Sequence, residues 1–314
     1  MTEQTVVREF QSADLETVVS FWNRAFADQP NFRPTSAEEF RHRVLDCALF
    51  DPRGFLLAWA DGPGGPGLVG LAHALRPAPA GPDRSGEGHH FLALLHVDPA
   101  YRRQGIGSRL LKAAERYLYY CPVYVGAEET PCYGWRNGQF APLFGPSGVP
   151  ALGVSDLDTI NFLAHRGYLS LGLGDVTLTG PKEATSAAPN HRVVSAESRP
   201  PGLDLVDFYP VPPVLENEAG LTFVEESGQS VGQIRWTPLG PDRWAILDWR
   251  VDEAWRGRGL GRALLDGGLA RMRATRPDAD VEIRAHWDRH RRAVEMLNRR
   301  GFGVDGAWVS LVKT

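Results

Sequence analysis

The feature that most constrains the fold is an internal repeat. Residues 97–111, VDPAYRRQGIGSRLL, match residues 251–265, VDEAWRGRGLGRALL, at a constant offset of 154 positions. Downstream, the RGY of 166–168 corresponds to the RGF of 300–302 at an offset of 134 positions. A long-period repeat of this kind indicates two copies of one domain. The length of 314 residues agrees, since it is about twice a typical domain of ~150 residues.

The change of offset locates the differences between the copies. The first copy carries about 20 extra residues (154 − 134), which we assign to a Pro- and Gly-rich loop at 130–153. A second such stretch separates the copies. We therefore predict a first domain at 1–180, a linker at 181–202 and a second domain at 203–314. The second is shortened at its front, because prolines within 203–219 exclude two normal helices there.

Periodicity predicts the elements of the first copy. Apolar residues recur at helical spacing after Ser12, and Ser36 with Glu39 forms a capping box for a second helix. Alternating or continuous apolar segments predict strands. The predicted fold class is α/β, with each domain a twisted mixed β-sheet flanked by helices. The predicted strands are 6–10, 54–60, 68–75, 89–97 and 123–127, and the later helices are 108–120 and 157–165.

Composition excludes several classes of function. The net charge of −4 disfavours binding to nucleic acid. The sequence contains no run of about 18 apolar residues, so we predict no membrane span. The 3 cysteines show no C-x-x-C spacing, so we expect reduced thiols and a cytoplasmic protein. We predict no metal site, and the sequence leaves the oligomeric state open.

The repeated Arg-x-x-Gly-x-Gly turn indicates an anion site, since each copy follows a strand and opens a helix. Free N–H groups and the dipole at a helix N-terminus favour an anion, and glycine lets the backbone approach a phosphate. A dinucleotide fingerprint needs a third glycine where Leu110 and Leu264 stand, and a P-loop needs G-x-x-x-x-G-K-[ST]. Neither pattern is present at the two repeated turns. The predicted ligand carries a pyrophosphate.

These motifs resemble those of the GNAT N-acetyltransferase superfamily. Its Q/R-x-x-G-x-G/A acetyl-CoA motif is matched in both copies, and the Gly-Tyr and Gly-Phe pairs resemble the Gly-Phe after the family's last helix. The resemblance implies that acetyl-CoA is the cosubstrate and that acetyl passes directly to the amine of a small molecule or peptide. The strands ending at Val97 and Val251 would pair with the pantetheine arm. The implied cofactor-binding residues are Leu95, Val97, Arg102, Arg103, Gln104, Gly105, Ile106, Gly107 and Ser108 in the first copy, and Val251, Arg256, Gly257, Arg258, Gly259, Leu260, Gly261 and Arg262 in the second.

The catalytic residues are less defined. Many family members place a tyrosine four residues before the Gly of Gly-Phe, where this chain has Leu163 and Leu297. Direct transfer needs a general base, and the candidates are Glu128, His96 and His89.

The first domain is favoured as catalytic, because it keeps both front helices and the long loop. One alternative is a tandem enzyme resembling mycothiol synthase, with the second domain active. The other is a non-catalytic acetyl-CoA-binding sensor or scaffold.

Overall fold

A computed structural model describes residues 5–28, 32, 34–47, 49–62, 65–76, 90–119, 122–126, 133, 152–180, 202–208, 218–239, 242–287 and 289–314. These residues form a mixed α/β fold in two compact units. Unit 1 comprises Met1–Gly174 and Ala307–Thr314, and unit 2 comprises Asp175–Gly306.

The units divide the chain differently from the predicted domains. The end of the last strand pairs with a strand of unit 1, and residues 175–180 pair with a strand of unit 2. The predicted bounds of 1–180, 181–202 and 203–314 stay a prediction, because all of the linker but Gly202 lies outside the described residues.

Unit 1 is one sheet with helices on both faces. Its strands lie in the order β1-β2-β3-β4-β5-β12. One face packs α1 and α2 over an aromatic-rich cluster, and the other packs α3 and α4 over an aliphatic cluster. The elements are β1 (Val6–Glu9), α1 (Leu15–Ala25), α2 (Ala37–Phe40), β2 (Phe55–Gly62), β3 (Gly65–Leu75), β4 (His90–Val97), α3 (Ile106–Leu118), β5 (Val123–Val125), α4 (Leu157–Ala164), the start of β6 (Leu169–Gly180) and the end of β12 (Gly303–Lys313).

Among the described residues, unit 2 repeats the plan with fewer helices. Its strands lie in the order β6-β11-β10-β9-β8-β7. The described part of 203–239 holds three strands and no helix; the shortened front itself stays a prediction, because residues 209–217 lie outside the described part. The elements are β7 (Leu203–Phe208), β8 (Ala219–Glu225), β9 (Ser230–Pro238), β10 (Arg243–Val251), α5 (Leu260–Thr275), β11 (Asp280–His286) and α6 (Arg291–Asn298).

Local chemistry explains the front helices of unit 1. Ser12 begins a 3-10 turn rather than the α-helix, which starts at Leu15. The shift follows from Asp14, whose buried carboxylate accepts hydrogen bonds from the Arg8 guanidinium and the Gln11 N–H. Of the capping box predicted at Ser36 and Glu39, one hydrogen bond is confirmed: the Ser36 hydroxyl accepts from the Glu39 N–H at 3.1 Å.

None of the described helices is both long and apolar enough to cross a bilayer.

Candidate functional site

Both repeats fold into the same strand–turn–helix unit. In each, a strand leads through a short 3-10 turn to a left-handed glycine that caps the helix, with φ of 78° at Gly105 and 82° at Gly259. Two residues earlier the backbone is again left-handed, with φ of 63° at Arg103 and 79° at Gly257. Alternation of left- and right-handed residues turns successive N–H groups toward one point, which makes an anion-binding concavity. The helix N-terminus adds its own free donors.

The first arginine of each motif braces its turn. Arg102 Nε donates to the Val97 carbonyl at 3.0 Å, and Arg256 Nε donates to the Val251 carbonyl at 3.1 Å. The last strand residue is thereby tied to the turn in both copies. Both guanidinium groups are exposed, so their remaining N–H groups face solvent where an anion would arrive.

The strand before each turn contains a β-bulge, and beyond the bulge it no longer pairs with the strand on one of its two edges. Ala93 is unmatched where β4 pairs with β3, and Leu247 is unmatched at the equivalent place where β10 pairs with β9. On its other edge β4 pairs with β5 only over residues 90–92. Within the described part of the chain, the edge of residues 93–97 therefore has no strand partner. Free N–H and C=O groups on such an edge can pair with an extended ligand.

In unit 1 these parts enclose a cavity of about 730 Å³. Its walls come from the end of β4, the turn, the first turn of α3, and α4. Gln104, also predicted as a cofactor contact, is exposed and does not line it. The lining residues are Leu95, His96, Val97, Tyr101, Arg102, Arg103, Gly105, Ile106, Gly107, Ser108, Asp156, Asp158, Thr159, Asn161, Phe162, His165 and Arg166.

Gly107 lines this cavity and, having no side chain, leaves the space next to the helix backbone open. A Cβ there would lie 3.5 Å from the Phe162 ring, at van der Waals distance, so a larger side chain would project between α3 and α4. The predicted residues Arg103, Gly105 and Ser108 line the same concave surface. Backbone donors, an unpaired strand edge and the space left open at Gly107 together suit a long phosphate-bearing chain such as CoA.

Unit 2 keeps the turn but places a large aromatic ring beside it. Trp249 stands at the position of Leu95, and its indole Nε1 donates to the Gly261 carbonyl at 2.9 Å. Indole atoms lie 3.8 and 3.9 Å from where a Gly261 Cβ would be. A large ring therefore lies beside the glycine whose counterpart, Gly107, lines the cavity of unit 1.

The arginines of unit 2 that were predicted to contact the cofactor interact with residues of their own turn and helix. Arg258 donates to the Ala254 carbonyl and lies 4.7 Å over the Trp255 ring. Arg262 lies 3.6 Å from Asp266. Leu260 is buried and anchors the start of α5. Val251, Gly257 and Gly259 supply backbone geometry that matches unit 1.

Of the base candidates, His96 is described and lines the cavity. Its ring lies edge-on to Phe21 and Phe26 at 6.0 and 5.1 Å. Burial, with a smaller effect of Arg102, lowers the pKa of His96 to about 4, so the imidazole is neutral at pH 7. Its Nε2 is buried and has no hydrogen-bond partner among the described residues. His89 and Glu128 lie outside those residues.

No phenol stands at the usual place for protonating a thiolate. Leu163 and Leu297 are both completely buried. They pack in the interior and leave that position apolar in each unit.

Two features of unit 1 were not predicted from sequence. One is α4 as a cavity wall, although the repetition of Arg-Gly at 166–167 and 300–301 could have drawn attention to Arg166. The other is His73, a fully buried imidazole whose Nδ1 lies 2.7 Å from the Tyr133 hydroxyl. The available signal in the sequence was a histidine within the apolar segment 68–75, which was predicted as a strand.

Comparison with known proteins agrees with this geometry. The model of the acetyltransferase (GNAT) family matches residues 17–119 and 191–302, more than half of the chain. A mycothiol acetyltransferase of Acidothermus cellulolyticus is 32% identical over 144 residues, which is 42% of either protein. The match thus spans less than half of that relative.

Solved structures share the fold. A tandem GNAT protein from the clavulanic acid biosynthesis pathway aligns with a TM-score of 0.66 at 18% identity, over 98% of each chain. A GCN5-related glucosamine N-acetyltransferase region in a fungal multi-domain β-N-acetylglucosaminidase aligns with a TM-score of 0.68 at 13% identity, over 99% of this chain and 38% of that one. With two matched regions, two strand–turn–helix units and tandem structural relatives, the chain belongs to the GNAT acetyltransferase family.

Proposed function

We propose that unit 1 binds acetyl-CoA in its cavity and transfers the acetyl group to the amine of a small molecule or peptide. The observation that carries this proposal is the cavity itself. It joins the left-handed turn at Arg103 and Gly105 to the unpaired edge of β4. The same turn in unit 2 lies beside Trp249 instead.

Each part of the cavity has a role in this proposal. The N–H groups of residues 103–108 hold the diphosphate, and Arg102 keeps the turn against the end of β4. The free edge of residues 93–97 pairs with the pantetheine arm and directs the thioester toward the opening between β4 and β5. Holding donor and acceptor in a fixed orientation supplies much of the rate of such a transfer.

The reaction needs two proton transfers, one from the attacking amine and one to the departing thiolate. The neutral amine attacks the thioester carbon, a C–N bond forms, and collapse of the tetrahedral intermediate breaks the C–S bond. The nitrogen loses one proton, and the departing sulfur takes one up.

His96 is a proton-handling candidate on the cavity wall. With a pKa of about 4 it is neutral at pH 7, so it accepts a hydrogen bond from the amine or a water and holds charge only briefly. His89 and Glu128 remain candidates for the same role. Because Leu163 replaces the tyrosine, the sulfur takes its proton from water or from the base.

For unit 2 we propose a supporting role. The mycothiol-synthase-like alternative, with the second unit active, is supported by the identity to a mycothiol acetyltransferase. The sensor alternative is supported by Leu163 and Leu297. Trp249 beside Gly261 and the predicted shortened front of the second domain support transfer in unit 1.

Paired glycine variants test this assignment. Thiol release from acetyl-CoA is measured with a panel of amines for the parent, Gly107→Trp and Gly261→Trp, after circular dichroism has established that each is folded. We expect Gly107→Trp to abolish release, because its side chain projects toward Phe162, and Gly261→Trp to retain it. The opposite pattern would assign transfer to unit 2. Acetyl-CoA binding without release for any amine would favour the sensor.

A further inference from the structure

Arg166 holds its guanidinium on the wall of the cavity of unit 1. Nη2 donates to the Ser108 hydroxyl at 2.7 Å, and Nη1 donates to the Phe162 carbonyl at 2.8 Å. The guanidinium carbon lies 3.7 Å from the centroid of the Phe162 ring. Two hydrogen bonds and a stacked ring fix a side chain that would otherwise be free to rotate.

This fixed charge lies where a cation is electrostatically unfavourable. Ser108 is in the first turn of α3, where the helix dipole is positive. Among the described residues, Arg166 forms no ion pair with a carboxylate. Asp156 and Asp158 line the same cavity but belong to the opposite end of α4, whose 8 residues span about 12 Å.

The equivalent arginine of unit 2 has a carboxylate partner. Arg300 Nε and Nη2 donate to the two oxygens of Asp266 at 2.8 and 3.1 Å. Position 266 corresponds to Lys112 in the first repeat, by the offset of 154. One copy therefore neutralises its arginine with Asp266, whereas the other has a lysine at that position.

We propose that Arg166 is a phosphate ligand for CoA in unit 1. Five N–H groups are present on a guanidinium, and the contacts with Ser108 and Phe162 use two of them. The others can form charge-assisted hydrogen bonds with a phosphate, which supplies the negative charge that Asp266 supplies in unit 2. This inference rests on the proposed function of unit 1, which it extends to a residue outside the glycine-rich motif.

The first test is calorimetric titration of CoA and of 3′-dephospho-CoA into the full chain and into Arg166→Gln. We expect the Kd for CoA to rise about tenfold or more, the range for loss of a charge-assisted hydrogen bond. A loss seen only with CoA assigns Arg166 to the 3′-phosphate, and an equal loss with both ligands assigns it to the diphosphate. An unchanged Kd for CoA overturns the proposal.

Arg300→Gln is the matched control. It removes the same group from the same position of the other repeat, so CoA affinity should stay within about twofold of the parent value. Its unfolding midpoint should fall, because Asp266 loses a bidentate partner. A loss of CoA affinity as large as that of Arg166→Gln would mean that the two arginines are not differentiated, which contradicts the proposal.

A second variant avoids altering Arg166 itself. Lys112 is exposed on α3, and Lys112→Asp rebuilds the carboxylate of unit 2 beside Arg166. We expect this change to weaken CoA binding in the parent but to add little to Arg166→Gln. Arg116→Asp, an exposed position one turn further along α3, carries the same charge change and should have a smaller effect. Equal losses from both substitutions would overturn the proposal.

These outcomes separate the inference from the proposed function. If the parent chain binds no CoA, or if Gly107→Trp still binds it, the function proposed for unit 1 is wrong. If Gly107→Trp abolishes binding while Arg166→Gln and Lys112→Asp leave the Kd unchanged, only the role of Arg166 is wrong.

Discussion

His73 should make unit 1 sensitive to acid. Its ring is completely buried on β3, and its centroid lies 4.7 Å from that of Phe55 and 5.5 Å from that of Phe50. Burial lowers the pKa of His73 to about 3, against a small opposing effect of Asp51. The unfolded chain protonates the same imidazole near pH 6.5. Between those values the unfolded state binds more protons, so stability is present above pH 6.5 and is lost as the pH falls toward 3.

The size of the loss follows from the two pKa values. Each pH unit below 6.5 costs about 1.4 kcal/mol of unfolding free energy. From pH 7 to pH 5, His73 should therefore lower the stability of unit 1 by about 2 kcal/mol. His73→Phe removes the titrating group and should remove that share of the difference. It should also cost about 1–3 kcal/mol at pH 7, because the buried hydrogen bond between the imidazole and the Tyr133 hydroxyl is lost.

The change of unfolding free energy is measured by urea unfolding at pH 7 and pH 5. Hydrogen exchange of the β3 amides reports the part that belongs to unit 1. Tyr133→Phe is the matched control: it removes the hydrogen bond of 2.7 Å but keeps the imidazole, so the difference between pH 7 and pH 5 should persist. If His73→Phe keeps the full parental difference, the buried imidazole is not its source and the reasoning fails.

Three further results are expected. Arg103→Gly should raise the unfolding free energy by about 1 kcal/mol, because Arg103 adopts φ of 63° where the second repeat has Gly257; lower stability in urea would contradict this. Trp249→Leu should give a second, weaker acetyl-CoA binding event in calorimetry, because it restores the side-chain type of Leu95; an unchanged stoichiometry would contradict the hypothesis that Trp249 obstructs binding in unit 2. His96→Gln should leave the shape of the pH profile of kcat/KM between pH 6 and 8 unaltered, because its pKa is about 4; an inflection that disappears with the variant would contradict that pKa.

Local features of the fold were predictable from sequence. Gly105 and Gly259 were expected at tight turns, and their φ values of 78° and 82° are ones that a side chain disfavours. The strand ending at Val97 was placed correctly because its apolar run meets a proline and the turn. The helix begins two residues later than a cap at Ser12 predicts (at Leu15, with Asp14 as the cap), since the buried carboxylate of Asp14 organises a 3-10 turn first.

Features that depend on distant contacts were not predictable. β12 pairs with β5 although Leu311 and Val125 are far apart in sequence, and apolar patterning does not specify which strand is the neighbour. The partner of His73 lies 60 residues away. Arg166 and Arg300 stand in matching motifs, and only the structure distinguishes a cavity wall from an ion pair.

The central claim is that the cavity of unit 1 is the acetyl-CoA site. Calorimetric titration of acetyl-CoA into the parent chain and into folded Gly107→Trp tests it most directly. The account predicts one site per chain in the parent and none in the variant, because the new side chain would occupy the space between Gly107 and Phe162. Retention of the parental affinity and stoichiometry in Gly107→Trp would contradict it.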